Sequence, residues 1–176
     1  MTYFYTDRIG KIVSSMCCFM MILNSGMAQN SDCACCTEMH GQFDFWVGEW
    51  DVYNKDGVYL GANHVIKLED NCIVQENWIG GKGTTGSSYN YFNLQDSTWN
   101  QLWIDNTGSH LNLKGNLGDG IMILWGNHQV ADSGKEYRNR ITWQPNKDGS
   151  VTPIWDVITT ENQEVKNLFT GIYRKN

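Results

Sequence analysis

Phe43-Asp44-Phe45-Trp46-Val47-Gly48-Glu49-Trp50-Asp51-Val52 decides how this chain is read. Four aromatics and two valines crowd into ten residues. Gly48, two places before Trp50, lets the backbone approach a neighbour closely. Upstream lie an export-type segment and a cysteine cluster. Downstream, apolar and polar residues alternate in short runs separated by turn residues.

Upstream, Arg8 and Lys11 precede an apolar run from Ile12 to Leu23, and Asn24-Ser25-Gly26-Met27-Ala28 closes it with small residues. That order is the pattern of a secretory signal cut before Gln29. The apolar run is shorter than the roughly 20 residues a bilayer-spanning helix needs, so no integral span is expected after cleavage. The expected layout is a signal peptide over 1–28, a cysteine-rich leader over 29–42 and one domain over 43–176. Losing Asp7, Arg8 and Lys11 takes the net charge from −6 to −7. An acidic exported domain without a basic stripe is a poor nucleic-acid binder, so a periplasmic or secreted setting without nucleic acid is expected.

Export sets how Cys33, Cys35, Cys36 and Cys72 are read. In an oxidising compartment four cysteines most often make two disulfides, with three pairings open. Vicinal cysteines rarely bond each other, so one of Cys35 and Cys36 is expected to reach Cys72 and staple the leader to the domain. The competing reading is a soft-metal site for Zn or Cu(I) built from Cys33, Cys35, Cys36 and His40.

Downstream, a short helical turn is expected between Thr37 and Val47, with Thr37 as N-cap. Ten strands are then expected: Trp50–Tyr53, Gly61–Leu68, Cys72–Ile79, Ser87–Phe92, Trp99–Asp105, His110–Lys114, Ile121–Trp125, Tyr137–Trp143, Thr152–Ile158 and Val165–Tyr173. Asn54-Lys55-Asp56-Gly57, Asp105-Asn106-Thr107-Gly108 and Asn146-Lys147-Asp148-Gly149 supply the Asn, Asp and Gly that hairpin turns require. No connection is long enough for a crossover helix, so every pairing is antiparallel. Ten such strands avoid two bare edges by closing into an up-and-down β-barrel, an all-β fold wide enough to hold a ligand.

Phe45-x-x-Gly48-x-Trp50 resembles the Gly-x-Trp signature of the calycins, the group of lipocalins, fatty-acid-binding proteins and nitrobindin-like barrels. Over residues 43–174 the chain more closely resembles DUF1579, a family of lipocalin-like exported bacterial proteins without a settled activity. The stretch quoted above, Gln75-Glu76-Asn77-Trp78, Ser88-Tyr89-Asn90, Gln101-Leu102-Trp103-Ile104-Asp105-Asn106, Arg140-Ile141-Thr142-Trp143 and Gly171-Ile172-Tyr173-Arg174 carry that likeness. The resemblance implies that Trp50 plugs the closed end of the barrel, with Arg174 or Arg140 stacked over it as a cation.

In a barrel alternate residues face the lumen. The expected lining is Glu76 and Trp78 on one strand, Tyr89 and Tyr91 on the next, and Gln101, Trp103 and Asp105 on a third. His64 shares a face with Ala62 and Ile66, and Arg138 with Arg140 offers an anion site inside the barrel. Aromatic walls with a few polar groups suit a small apolar or amphipathic molecule. An enzyme on the same barrel is the alternative, with Glu76 or Asp105 as general acid or base and His64 as partner. Haem on one of the four histidines is a third reading from the nitrobindin-like start, although Asp51-Val52 replaces the glycine-containing continuation of nitrobindins. Gly80-Gly81-Lys82-Gly83 is no phosphate loop, because Lys82 lacks a following Ser or Thr and no helix follows. It reads as a hairpin loop at the barrel mouth. No motif calls for a cofactor.

Overall fold

A computed structural model describes residues 33–176 of the chain. The expected signal peptide over 1–28 and residues 29–32 of the expected leader lie outside the described residues. A four-residue helix, α1 (Glu38–Gly41), and a 3-10 turn (Asp44–Trp46) precede twelve strands. These are β1 (Gly48–Tyr53), β2 (Tyr59–Leu68), β3 (Ile73–Gly80), β4 (Thr85–Asn93), β5 (Thr98–Asp105) and β6 (His110–Gly118). Then come β7 (Ile121–Gly126), β8 (Gln129–Val130), β9 (Glu136–Pro145), β10 (Val151–Thr159), β11 (Val165–Thr170) and β12 (Ile172–Lys175).

β1 through β7 pair antiparallel in chain order, β7 pairs β9, and β9 pairs β10. β11 and β12 behave as one strand bent at Gly171. β11 lies along the second half of β10, while β12 bridges back to β10 and pairs with β1. The sheet thereby closes into an antiparallel barrel of ten strands. The two-residue β8 decorates the hairpin between β7 and β9. Strands of even patterning with no helical crossover leave closure as the way to satisfy every edge. Each expected strand is present.

Thr37 caps α1 through its hydroxyl, which accepts from the His40 N–H at 3.4 Å. His40 is buried, bonds Thr37 Oγ1 through Nδ1 at 2.8 Å and packs edge-on against Phe92. Residues 33–42 of the leader are therefore part of the barrel's base. Disulfides join Cys33 to Cys36 and Cys35 to Cys72. The staple from the vicinal pair to Cys72 is present, through Cys35. All four thiols are spent on sulfur, which leaves no thiolate for the soft-metal reading, and His40 serves the helix instead.

The closed end is a cluster of rings centred on Phe43. Its ring lies 5.0 Å from that of Trp46, 5.4 Å from Trp99 and 5.3 Å from Trp143. Trp50 is 1% exposed and donates its indole N–H to the Trp46 carbonyl at 2.9 Å, tying β1 to the 3-10 turn. The cation over Trp50 is Lys175 Nζ, 5.3 Å from the ring centroid. Trp50 and Lys175 are cross-strand partners, whereas Arg174 pairs with Asp51 and so lies on the other face, over Tyr53 at 5.2 Å. Arg140 is also displaced from the expected role, standing over Trp125. Gly48 is needed for its backbone, with φ +147°, more than for space, since an added Cβ would meet nothing nearer than 3.5 Å. At Gly61 space decides, because a Cβ would stand 2.3 Å from the Ile79 carbonyl oxygen.

Candidate functional site

Above the plug the barrel encloses a cavity of about 340 Å³. Its wall is aromatic: Trp78 from β3, Trp103 from β5, Trp143 from β9, Trp155 from β10 and Phe169 from β11. Trp103 and Trp155 meet edge to face at 6.0 Å, and Trp78 and Phe169 at 6.4 Å. Trp143 belongs both to this wall and to the plug, so the cavity floor is the top of the base cluster. Exposed Thr84 and Leu168 also line the cavity, which places its opening between the β3–β4 connection and β11. The glycine-rich segment after Gly80 thus borders the mouth.

One side of the cavity is polar. Glu76 accepts from Asn63 Nδ2 at 2.7 Å on Oε1 and from the Ser88 hydroxyl at 2.8 Å on Oε2. Asn63 Nδ2 also donates to Tyr173 Oη at 3.1 Å. Gln101 Nε2 donates to Asn90 Oδ1 at 2.7 Å, and Asn90 in turn donates to Ser88 Oγ and to the Val74 carbonyl. Glu76, Ser88, Asn90, Gln101 and Asn63 are all buried. Such a network favours one geometry because an unpaired buried polar group is costly, and Asn63 Oδ1 is the one fully buried atom of this set left without a partner among the described residues. Only Glu76, Gln101 and Tyr173 of this set reach the cavity.

Burial raises the Glu76 carboxyl pKa, and the hydrogen bonds from Ser88 and Asn63 offset only part of that. The Tyr173 phenol is pushed well above its ordinary value by burial, with the nearby Glu76 charge adding to it. A carboxyl whose pKa is higher folded than unfolded contributes stability below its unfolded pKa. That contribution fades as pH rises through the folded value. Relative to Glu76→Gln, the wild-type protein should therefore lose stability from about pH 4 upward. Urea unfolding of both proteins at pH 5 and pH 8 reads this, and a difference independent of pH would refute the protonation argument.

The expected site residues divide by strand. Glu76, Trp78, Gln101 and Trp103 all line the cavity. Tyr89 and Tyr91 do not: they are 46% and 45% exposed on the outer face, and Ser88, Asn90 and Phe92 point inward from β4. Partners across an antiparallel ladder share a face. Because Glu76 pairs with Ser88 and Ser88 with Trp103, β4 presents its small polar residues to the lumen. His64 is likewise outside, 3.9 Å from Glu49 with both side chains mostly exposed, while Asn63 and Val65 face in.

Asp105 ends β5 and organises the β5–β6 turn, accepting from Thr107 N and Oγ1 and from Ser109 N. The Thr107 hydroxyl bond leads the lowering of its pKa, which suits a structural anion and not an acid–base group. Arg138 and Arg140 point outward, flanking Trp125 at 5.0 and 5.4 Å, and Arg140 pairs with Asp156 at 2.7 Å. The anion site expected from them inside the barrel is absent, because inward positions on β9 fall to Asn139, Ile141 and Trp143. None of the four histidines lines the cavity, which removes the axial ligand for haem there. Residues that strand-by-strand reading missed are Asn63, Ser88, Tyr173, Trp155 and Phe169.

No family model matches the chain, and no curated protein matches it in sequence.

Proposed function

We propose that this is an exported, lipocalin-like barrel of the DUF1579 kind that binds a small amphipathic molecule. Its apolar body would lie among Trp78, Trp103, Trp155 and Phe169, and its polar end against Glu76, Gln101 and Tyr173. The observation that carries this reading is the cavity itself. A volume of about 340 Å³ with aromatic walls and a few convergent polar groups has the composition of a small-molecule site. Two disulfides suit an oxidising compartment, and among the described residues no helix is long and apolar enough to cross a membrane.

Tryptophol, a neutral indole carrying an alcohol, is a suitable probe. Calorimetry should show saturable one-to-one binding, and Ile141→Trp, which fills the cavity from its wall, should abolish it while the melting transition stays cooperative. Binding that survives this filling would place the ligand elsewhere.

Acid–base catalysis is the second reading, and it is favoured by one fact, the buried carboxyl of Glu76 at the cavity edge. His64 and Asp105, its expected partners, both lie away from the cavity. Any such chemistry would fall to Glu76 with Tyr173 alone.

A further inference from the structure

The cavity carries one acid and no base. Among the residues lining it, Glu76 is the only carboxyl, and no Lys, Arg or His contributes. An anionic head group entering here would meet a buried acid and no compensating charge. Arg138 and Arg140, the arginines expected to serve it, lie outside, and Arg140 is already neutralised by Asp156.

Hydrogen-bonding capacity points the same way. A carboxylate has room for about four hydrogen bonds, and Glu76 receives one on each oxygen. Gln101 gives its Nε2 to Asn90 and Ser88, while its Oε1 receives nothing among the described residues. Tyr173 Oη has received one bond from Asn63. With Glu76 ionised, the polar end has several acceptors to spare against one free donor, the Tyr173 hydroxyl proton, which calls for a ligand richer in donors than in acceptors. An ammonium carries three donors and no acceptor. The four rings of Trp78, Trp103, Trp155 and Phe169 add π-systems that attract a cation once water is excluded.

We propose that the cavity takes a small protonated amine with an apolar or aromatic body, its ammonium held by Glu76 and Gln101 beside the indole walls. This rests on the cavity being the ligand site and names the chemical class of that ligand. No covalent bond forms. Where Glu76 stands empty as the carboxylic acid, binding RNH3⁺ yields the carboxylate–ammonium pair and releases the Glu76 proton to solvent. Burial, which holds the carboxyl toward its protonated form, supports that exchange. Affinity should then rise with pH until Glu76 is ionised without ligand.

The test uses three indoles of similar size: tryptamine as the cation, tryptophol as the neutral analogue and indole-3-acetate as the anion. Calorimetry at pH 7 should find tryptamine bound about tenfold or more tighter than tryptophol, with indole-3-acetate weakest. In Glu76→Gln the tryptamine-to-tryptophol ratio should fall to about one. The order of the three affinities on the wild-type protein decides the matter even if that variant folds poorly. Tryptophol or indole-3-acetate binding as tightly as tryptamine, or a preference for tryptamine kept in Glu76→Gln, overturns the amine assignment and leaves the binding reading standing. Failure of all three indoles overturns both.

Discussion

Trp50→Ala should lower the unfolding free energy by about 3–5 kcal/mol, the range for truncating a fully buried large side chain. The ring is 1% exposed, its N–H bridges to the Trp46 carbonyl, and Tyr173 and Lys175 pack against it from β12. Its loss removes buried area, leaves the Trp46 carbonyl short of a donor and loosens the seam where β12 closes on β1. The urea midpoint should fall sharply with the slope retained. Glu49→Ala, one residue away on the exposed face, should move stability by no more than about 0.5 kcal/mol. A Trp50→Ala protein within 1 kcal/mol of wild type would mean that the plug does not hold the barrel shut.

The disulfides should differ in worth according to the chain they enclose. Cys35–Cys72 spans 37 residues and Cys33–Cys36 only three. Loop-closure entropy assigns about 4 kcal/mol to the longer and about 1.5 kcal/mol to the shorter. The double replacement of Cys35 and Cys72 by Ala should therefore destabilise far more than that of Cys33 and Cys36, and burial of Cys35 adds to the gap. Denaturant curves of the two double variants side by side make the comparison. Equal losses would show that the leader is not stapled to the barrel through Cys72.

For the site, legibility varied strand by strand. On β3 and β5 the period-two pattern alone placed Glu76, Trp78, Gln101 and Trp103 on the lumen. On β2 and β4 the same reasoning chose the wrong face, because His64, Tyr89 and Tyr91 are large and invite a buried reading. Those strands show one-residue parity as a collective property. Turn length sets the pairing of Glu76 with Ser88, and that pairing, not the bulk of the tyrosines, decides which residues of β4 point inward. Propagating the phase of β3 through the β3–β4 connection would have found Ser88 and Asn90.

The cation over Trp50 follows the same rule. Arg174 and Lys175 are adjacent in sequence and equally basic, and only the register of β12 against β1 selects Lys175. Phe169 reaches the cavity from β11, which leaves the line of β12 at Gly171, and Trp155 faces in as the ladder partner of Ile141 on β9 and of Phe169 on β11.

From the sequence alone came the all-β class, the ten strands and their antiparallel order. These follow from local patterning and turn chemistry, which act over a few residues. Only the tertiary structure decided which carboxyl is buried, which arginines stay outside and which rings surround the ligand space. Those outcomes depend on barrel closure, where register at each of the ladders must be compatible with all the others at once. A charge faces the lumen or the solvent by a single residue of shift, and no single strand contains the information that fixes that shift.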